Sequence, residues 1–186
     1  MQIMVIGGEE KTRSRVCKAI SGVVPDAAVT GYADAAAARE ALAEAARTRG
    51  KLGVRCFGYF DVFYGDDPLI FARAKTKELL AYLVDRGGAA CTGGEIELAL
   101  WEDAGAVKDT RHYLRILTND LRTALASVGL EDVLIREHNQ WAVRRSMLDC
   151  DYYRMLDGGE DTFDGEYMKQ YSWAEETLAR LEFRDD

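Results

Sequence analysis

The chain has 186 residues, of which 48% are hydrophobic and 30% charged, the composition of a folded domain or two rather than of a disordered chain. No apolar run approaches the roughly 20 residues that span a bilayer, and the opening MQIMVIGGEEK lacks the basic, apolar and small-residue order of a secretory leader. A cytoplasmic protein with no membrane partner is therefore expected. The net charge of −8 argues against nucleic acid if taken as a sum, but it is unevenly spread: residues 54–148 hold 12 basic and 14 acidic groups, and residues 149–186 hold 4 and 12. A local positive surface is compatible with an acidic total.

Taken in chain order, MQIMVIGG alternates Ile3 and Val5 with Met4 and Ile6 and closes on two glycines, a short buried strand. KTRSRVCKAISGVV places Val16, Ile20 and Val23 or Val24 on one helical face, ended by Pro25 and Asp26. AAVTGYAD reads as a second strand, and AAAAREALAEAARTRG as an alanine-rich helix stopped at Gly50. Residues 1–50 are thus β-α-β-α, a thin sheet with a bare edge that is marginal as an independent domain.

Lys51 to Gly53 looks like a junction. VRCFGYFDVFYGDDPLIF alternates aromatic and polar residues around a turn at Gly65, Asp66, Asp67 and Pro68, a hairpin pattern. RAKTKELLAYLVDRGG predicts a helix with Leu79, Leu80, Leu83 and Val84 inward and a stop at Gly87 and Gly88. Thr92 is placed to cap the short helix GGEIELALWED, whose end Trp101 covers. After the connector DAGAVK, DTRHYLRILTNDLRTAL predicts a long helix with Leu114, Leu117, Leu121 and Leu125 on one apolar face. EDVLIREHNQWAVRR adds a hairpin turning at His138, Asn139 and Gln140. The acidic tail carries two amphipathic pieces, around Tyr152 to Leu156 and from about Trp173 to Leu181.

The expected fold class is α+β: a β-α-β-α unit at 1–50, a hairpin–helix–helix–helix–hairpin unit at 54–148, and a short helical tail at 149–186. The middle order is that of a winged helix-turn-helix. In such a domain the third helix enters the roughly 12 Å major groove while neighbouring elements meet phosphates. Arg111, Arg115 and Arg122 form a second stripe on the third helix, with His112, Thr118 and Asn119 beside them. These are the candidate groups for base edges and phosphates in duplex DNA. Lys75 and Lys77 on the first helix, Lys108 before the third, and Arg136 and Arg144 in the wing are the candidate phosphate contacts. Taken singly, each is an ordinary solvated charge.

FGYFDVFYGDDPLIFARAKTKELLAYLVDRGGAACTGGEIELALWED and TRHYLRILTNDLRTAL resemble the winged-helix DNA-binding domain of OmpR-type response regulators, in the variant of the SARP-like transcriptional activators. DCDYYRML and FDGEYMKQYSWAEETLARLE are similar to the opening of the bacterial transcriptional activator domain that follows it. The family's third helices often carry a basic residue where this chain has Asp120. The resemblance implies contact with RNA polymerase through the loop before the third helix, with Trp101, Glu102, Asp103 and Lys108 as candidates. A plain connector is the competing reading of that loop.

Residues 1–50 resemble the first two β-α units of a receiver domain. The acidic pair is replaced by Gly7 and Gly8, with Glu9 and Glu10 following, and the phosphoacceptor region is missing. No phosphoacceptor is therefore expected. A homodimer through 1–50 is expected from the bare sheet edge.

Neither GxGxxG nor GxxxxGK[ST] follows the first strand, and GxSxG and HExxH are absent. No catalytic residues, enzyme activity or cofactor are expected. The cysteines Cys17, Cys56, Cys91 and Cys150 are scattered without a CxxC pair, and the only histidines are His112 and His138, which argues against a disulfide framework or a metal site. The alternative to a DNA-binding regulator is a protein-interaction module that keeps the scaffold without DNA affinity, motivated by Asp120 and the charge balance.

Overall fold

The computed structural model describes residues 2–25, 28–39, 41, 50–101, 109–159 and 161–183. It is an α+β protein with small sheets, divided into two compact units at 1–50 and 51–186. Among the described residues no helix is long and apolar enough to cross a membrane.

In the smaller unit, β1 (Gln2–Ile6) pairs in parallel with β2 (Ala28–Tyr32), from Gln2 opposite Ala28 to Ile6 opposite Tyr32. The crossover between them is α1 (Glu10–Val23). Its better-covered face carries Arg13, Cys17 and Ile20 and continues to Val24 at its C-terminal cap, so of the expected line Ile20 and Val24 are on this face while Val16 is not and Val23 is 81% exposed. Gly31 on β2 decides this face, because a Cβ there would lie 2.9 Å from Arg13 Cγ and 3.1 Å from Cys17 Sγ. The helix packs where that side chain is missing. Asp34 then accepts from the Ala37 N–H at 2.8 Å and caps a helical stretch at residues 35–39. Ala41 is also helical, and residues 40 and 42–49 of the expected alanine-rich helix lie outside the described residues.

The larger unit opens with β3 (Leu52–Arg55), β4 (Asp61–Tyr64) and β5 (Asp67–Pro68). Leu52 and Gly53, expected as a junction, are strand residues, and Leu52 is fully buried. Of the turn expected at Gly65, Asp66, Asp67 and Pro68, only Gly65 and Asp66 form the connection from β4 to β5, because Asp67 and Pro68 pair with Tyr64 and Phe63 as strand residues; a second connection at 56–60 joins β3 to β4. Next come α2 (Ala74–Asp85), β6 (Cys91–Thr92), α3 (Gly93–Leu100) and α4 (Thr110–Ala126). Leu79, Leu80, Leu83 and Val84 of α2 are all fully buried, as their spacing predicts. At the start of α3, Thr92 and Glu95 form a reciprocal capping box.

The hairpin β7 (Leu134–Glu137) and β8 (Gln140–Val143) turns through His138 at φ 54°. β6 joins its other side, with Cys91 opposite Trp141. Strand β9 (Leu148–Cys150) does not continue that hairpin. It pairs in parallel with β3, Leu52 opposite Leu148 and Val54 opposite Cys150, to complete a sheet of order β5-β4-β3-β9.

The segment expected as a separate tail is built into this unit. From α5 (Asp151–Leu156) the Tyr153 hydroxyl donates to the Val84 carbonyl at 2.6 Å, and beyond it the Tyr167 hydroxyl donates to Asp85 Oδ1 at 2.9 Å. Met168 N–H donates to the Cys56 carbonyl at 2.8 Å, and Gln170 bonds both the N–H and the carbonyl of Phe60. Leu181, on α6 (Glu175–Glu182), is buried in the same core. Aromatic and aliphatic burial of this kind contributes about 1.5–3 kcal/mol per side chain, which holds an otherwise acidic segment in place.

Candidate nucleic-acid interface

The long helix α4 is split lengthwise by its own sequence. Leu114, Leu117, Leu121 and Leu125 are buried, and Arg111, His112, Arg115, Asn119 and Arg122 are exposed on the other side. Asp109 starts the helix in the left-handed region at φ 77°, and its carboxylate accepts from the His112 N–H at 3.0 Å. An acceptor at this end satisfies a free backbone donor and suits the helix dipole. The arginine stripe therefore rests on a helix fixed at its start by a cap and along its length by the core.

Thr118 does not share that surface. It is fully buried: its hydroxyl donates to the Leu114 carbonyl at 2.7 Å and accepts from Trp141 Nε1 at 3.0 Å. On the helix it lies toward the leucine side, and the indole of β8 covers it. Thr118 is corrected from an interface residue to a packing residue that ties α4 to the hairpin.

Of the three lysines expected at phosphates, Lys75 and Lys77 are half-buried and held by groups of this chain. Lys75 donates to the Leu100 carbonyl at 2.9 Å and pairs with Glu78 at 2.8 Å, while Lys77 pairs with Asp61 at 2.6 Å. In the hairpin both arginines are exposed. The Arg136 guanidinium lies 5.4 Å from the Trp141 ring centroid, and Arg144 Nε donates to the Asp132 carbonyl at 3.3 Å. Trp101 is half-buried against Tyr113, edge to face at 5.9 Å. Glu102, Asp103 and Lys108 lie outside the described residues.

Two residues that the sequence reading passed over shape this part of the molecule. Arg73, just ahead of α2, forms an ion pair with Asp120 of α4. Asp151 is buried, and its oxygens accept from the N–H groups of Cys56 at 2.8 and 3.0 Å, Phe57 at 3.2 Å and Tyr152 at 2.7 Å. An acid one residue after a cysteine at the end of a strand carries no local signal for such a role, because Cys56 and Phe57 come from about 95 residues away.

Cys56 and Cys150 sulfurs lie 3.5 Å apart beside Asp151, and the three form the cluster among the described residues whose donors could gather around a cation. The carboxylate is already occupied by backbone donors, so a cation there would displace those bonds. Burial pushes the Cys56 thiol well above its ordinary value, reinforced by Cys150 and Asp151. Burial likewise raises the hydroxyl of Tyr153 and the carboxyl of Asp85, the latter against the opposing hydrogen bonds from Thr177 and Tyr167.

No protein-family model matches the chain, and no curated protein matches it. Among solved structures it is similar to one of Mycobacterium tuberculosis EmbR in complex with low affinity phosphopeptide, with a TM-score of 0.50 at 19% identity. The match covers 57% of this chain and 28% of the EmbR chain. At that identity the likeness is one of fold over the matched part.

Proposed function

We propose that this chain is a transcription regulator whose residues 54–148 form a winged helix-turn-helix that binds duplex DNA. In this reading α4 is the recognition helix and the β7–β8 hairpin is the wing. The observation that carries it is the outward row of Arg111, Arg115, Asn119 and Arg122 on a helix whose opposite face is locked in the core. Arginine forks fit guanine edges or phosphates, and asparagine pairs with adenine. Arg136 and Arg144 extend the cationic surface to the hairpin. The likeness in fold to the EmbR structure over the matched part is consistent with this reading. The chain acts without enzyme chemistry or a phosphoacceptor, in the cytoplasm, and the segment from Trp101 to Lys108 is its contact with RNA polymerase.

Fluorescence anisotropy with duplex fragments from the region upstream of its own gene, at low and at physiological salt, tests this reading. Salt-sensitive binding that Arg115→Ala and Arg122→Ala each weaken supports it; absence of binding at both salts defeats it.

A second reading, a protein-interaction module on the same scaffold, is favoured by the internal pairing of Lys75 and Lys77, which removes two expected phosphate contacts. Its complex with a partner, dominated by apolar burial, would keep its affinity as salt rises. We also propose that residues 1–50 pair with a second copy, since Met4, Ile6, Val16 and Val23 are exposed apolar groups on a two-stranded sheet and its helix. A monodisperse monomer in light scattering at micromolar concentration would exclude that dimer.

A further inference from the structure

An acid in the middle of a DNA-facing helix opposes a phosphate backbone if it points outward. Asp120 does not. At about 100° per residue its side chain leaves α4 about 140° around from Arg115, on the flank that meets the start of α2. There it is paired with the Arg73 guanidinium, with 21% of its side chain exposed.

Arg73 is held at both ends. Its carbonyl accepts from the N–H groups of Thr76 and Lys77 in the first turn of α2, and its guanidinium meets Asp120. Even so, 44% of its side chain remains in solvent. A guanidinium presents several N–H groups in a fixed plane, so one edge can bind a carboxylate while another binds a phosphate. The ammonium groups of Lys75 and Lys77 are instead turned onto Leu100, Glu78 and Asp61.

We propose, resting on the DNA-binding reading above, that Arg73 is a phosphate contact of the interface and that Asp120 is its positioning residue. The carboxylate fixes the fork at the edge of the recognition helix and is neutralised by it. Asp120 then supports DNA affinity rather than opposing it. Arg73 takes the role that the spacing of the sequence assigned to Lys75 and Lys77.

The test measures anisotropy of the full chain with a mixed-sequence duplex across a salt series, for the parent, Arg73→Ala, Arg73→Lys, Asp120→Asn and the Arg73→Ala/Asp120→Asn double variant. Circular dichroism of each variant checks the fold. Removing one phosphate contact lowers the salt slope by about 0.9, so the parent's advantage over Arg73→Ala shrinks about 3.5-fold between about 50 and about 200 mM salt. Asp120→Asn binds more weakly than the parent, Arg73→Lys recovers only part of the affinity, and the double variant is no weaker than Arg73→Ala alone. A tighter Asp120→Asn, or an unchanged slope in Arg73→Ala, overturns the inference while the parent's salt-sensitive binding leaves DNA recognition standing. A parent that does not bind at any salt removes both.

Discussion

Replacing Thr118 with valine takes one hydroxyl from the centre of the larger unit while keeping the shape of the side chain. In the parent that hydroxyl accepts from Trp141 Nε1 at 3.0 Å, and both residues are buried. Valine offers no acceptor, so the indole N–H is left without a partner where water does not reach, at a cost of about 1–3 kcal/mol. The Leu114 carbonyl, which the hydroxyl also bonds at 2.7 Å, still has the helical N–H of residue 118. Valine also avoids burying a polar group, so the net loss is about 1–2 kcal/mol. Alanine at the same position lacks both of valine's methyl groups and costs about 1.6 kcal/mol more than valine.

All three tryptophans lie in residues 51–186, so fluorescence during urea unfolding reports that unit. In a Trp141→Phe background the orphaned donor is absent, and Thr118→Val there costs about 1 kcal/mol less than in the parent. An equal cost in both backgrounds would show that the indole bond is not what makes this position sensitive. Folded Thr118→Val keeps the parent's DNA affinity, unlike Arg115→Ala, because residue 118 contributes no atoms to the exposed face.

Asp151→Asn leaves buried N–H groups of the β3 end facing an amide nitrogen and destabilises the same unit by about 2–4 kcal/mol in urea unfolding; a change under about 0.5 kcal/mol would remove Asp151 as the clasp between β3 and α5. The raised, buried thiol of Cys56 makes it a poor nucleophile. Brief alkylation of native protein at mildly alkaline pH, followed by mass spectrometry, should modify the half-exposed Cys17 first and reach Cys56 only on addition of urea; early labelling of Cys56 would contradict its burial. Because burial raises the folded carboxyl of Asp85, the folded chain binds that proton more tightly than the unfolded chain. The parent therefore loses stability relative to Asp85→Asn as pH rises from the ordinary carboxylate value of 3.8 through the raised folded one. Parallel pH profiles for the two proteins would refute that assignment.

Features with short-range causes were legible in the chain. The capping box needs only Thr92 and Glu95, three residues apart, and the leucine face of α4 needs only a helical repeat. The stops at Gly87 and Gly88 are backbone requirements, with φ at 65° and 87°. The exposed arginines of α4 follow from the leucines, since a helix with one face buried must turn the other outward. The position of Thr118 was not legible in that way. It lies about 60° from Arg115 on the helix, near the border of both faces, and only the arrival of Trp141 from β8 decides that it is covered.

The same division explains the two ends of the chain. Periodicity determined that residues 10–23 form a helix, but the missing Cβ of Gly31 on a neighbouring strand selected the Arg13, Cys17, Ile20 and Val24 face. Composition marked residues 149–186 as acidic and partly helical, whereas the parallel pairing of Leu148–Cys150 with Leu52–Val54 made them part of the larger core. By itself, then, the sequence determined the leucine faces of the helices, the Thr92 cap and the arginine stripe, because these depend on neighbours within about one or two helical turns. Tertiary structure decided which borderline polar groups are buried, that Lys75 and Lys77 are turned onto Leu100 and Asp61 while Asp120 orients Arg73, and where the tail ends, because those outcomes depend on residues brought together from well beyond one or two helical turns.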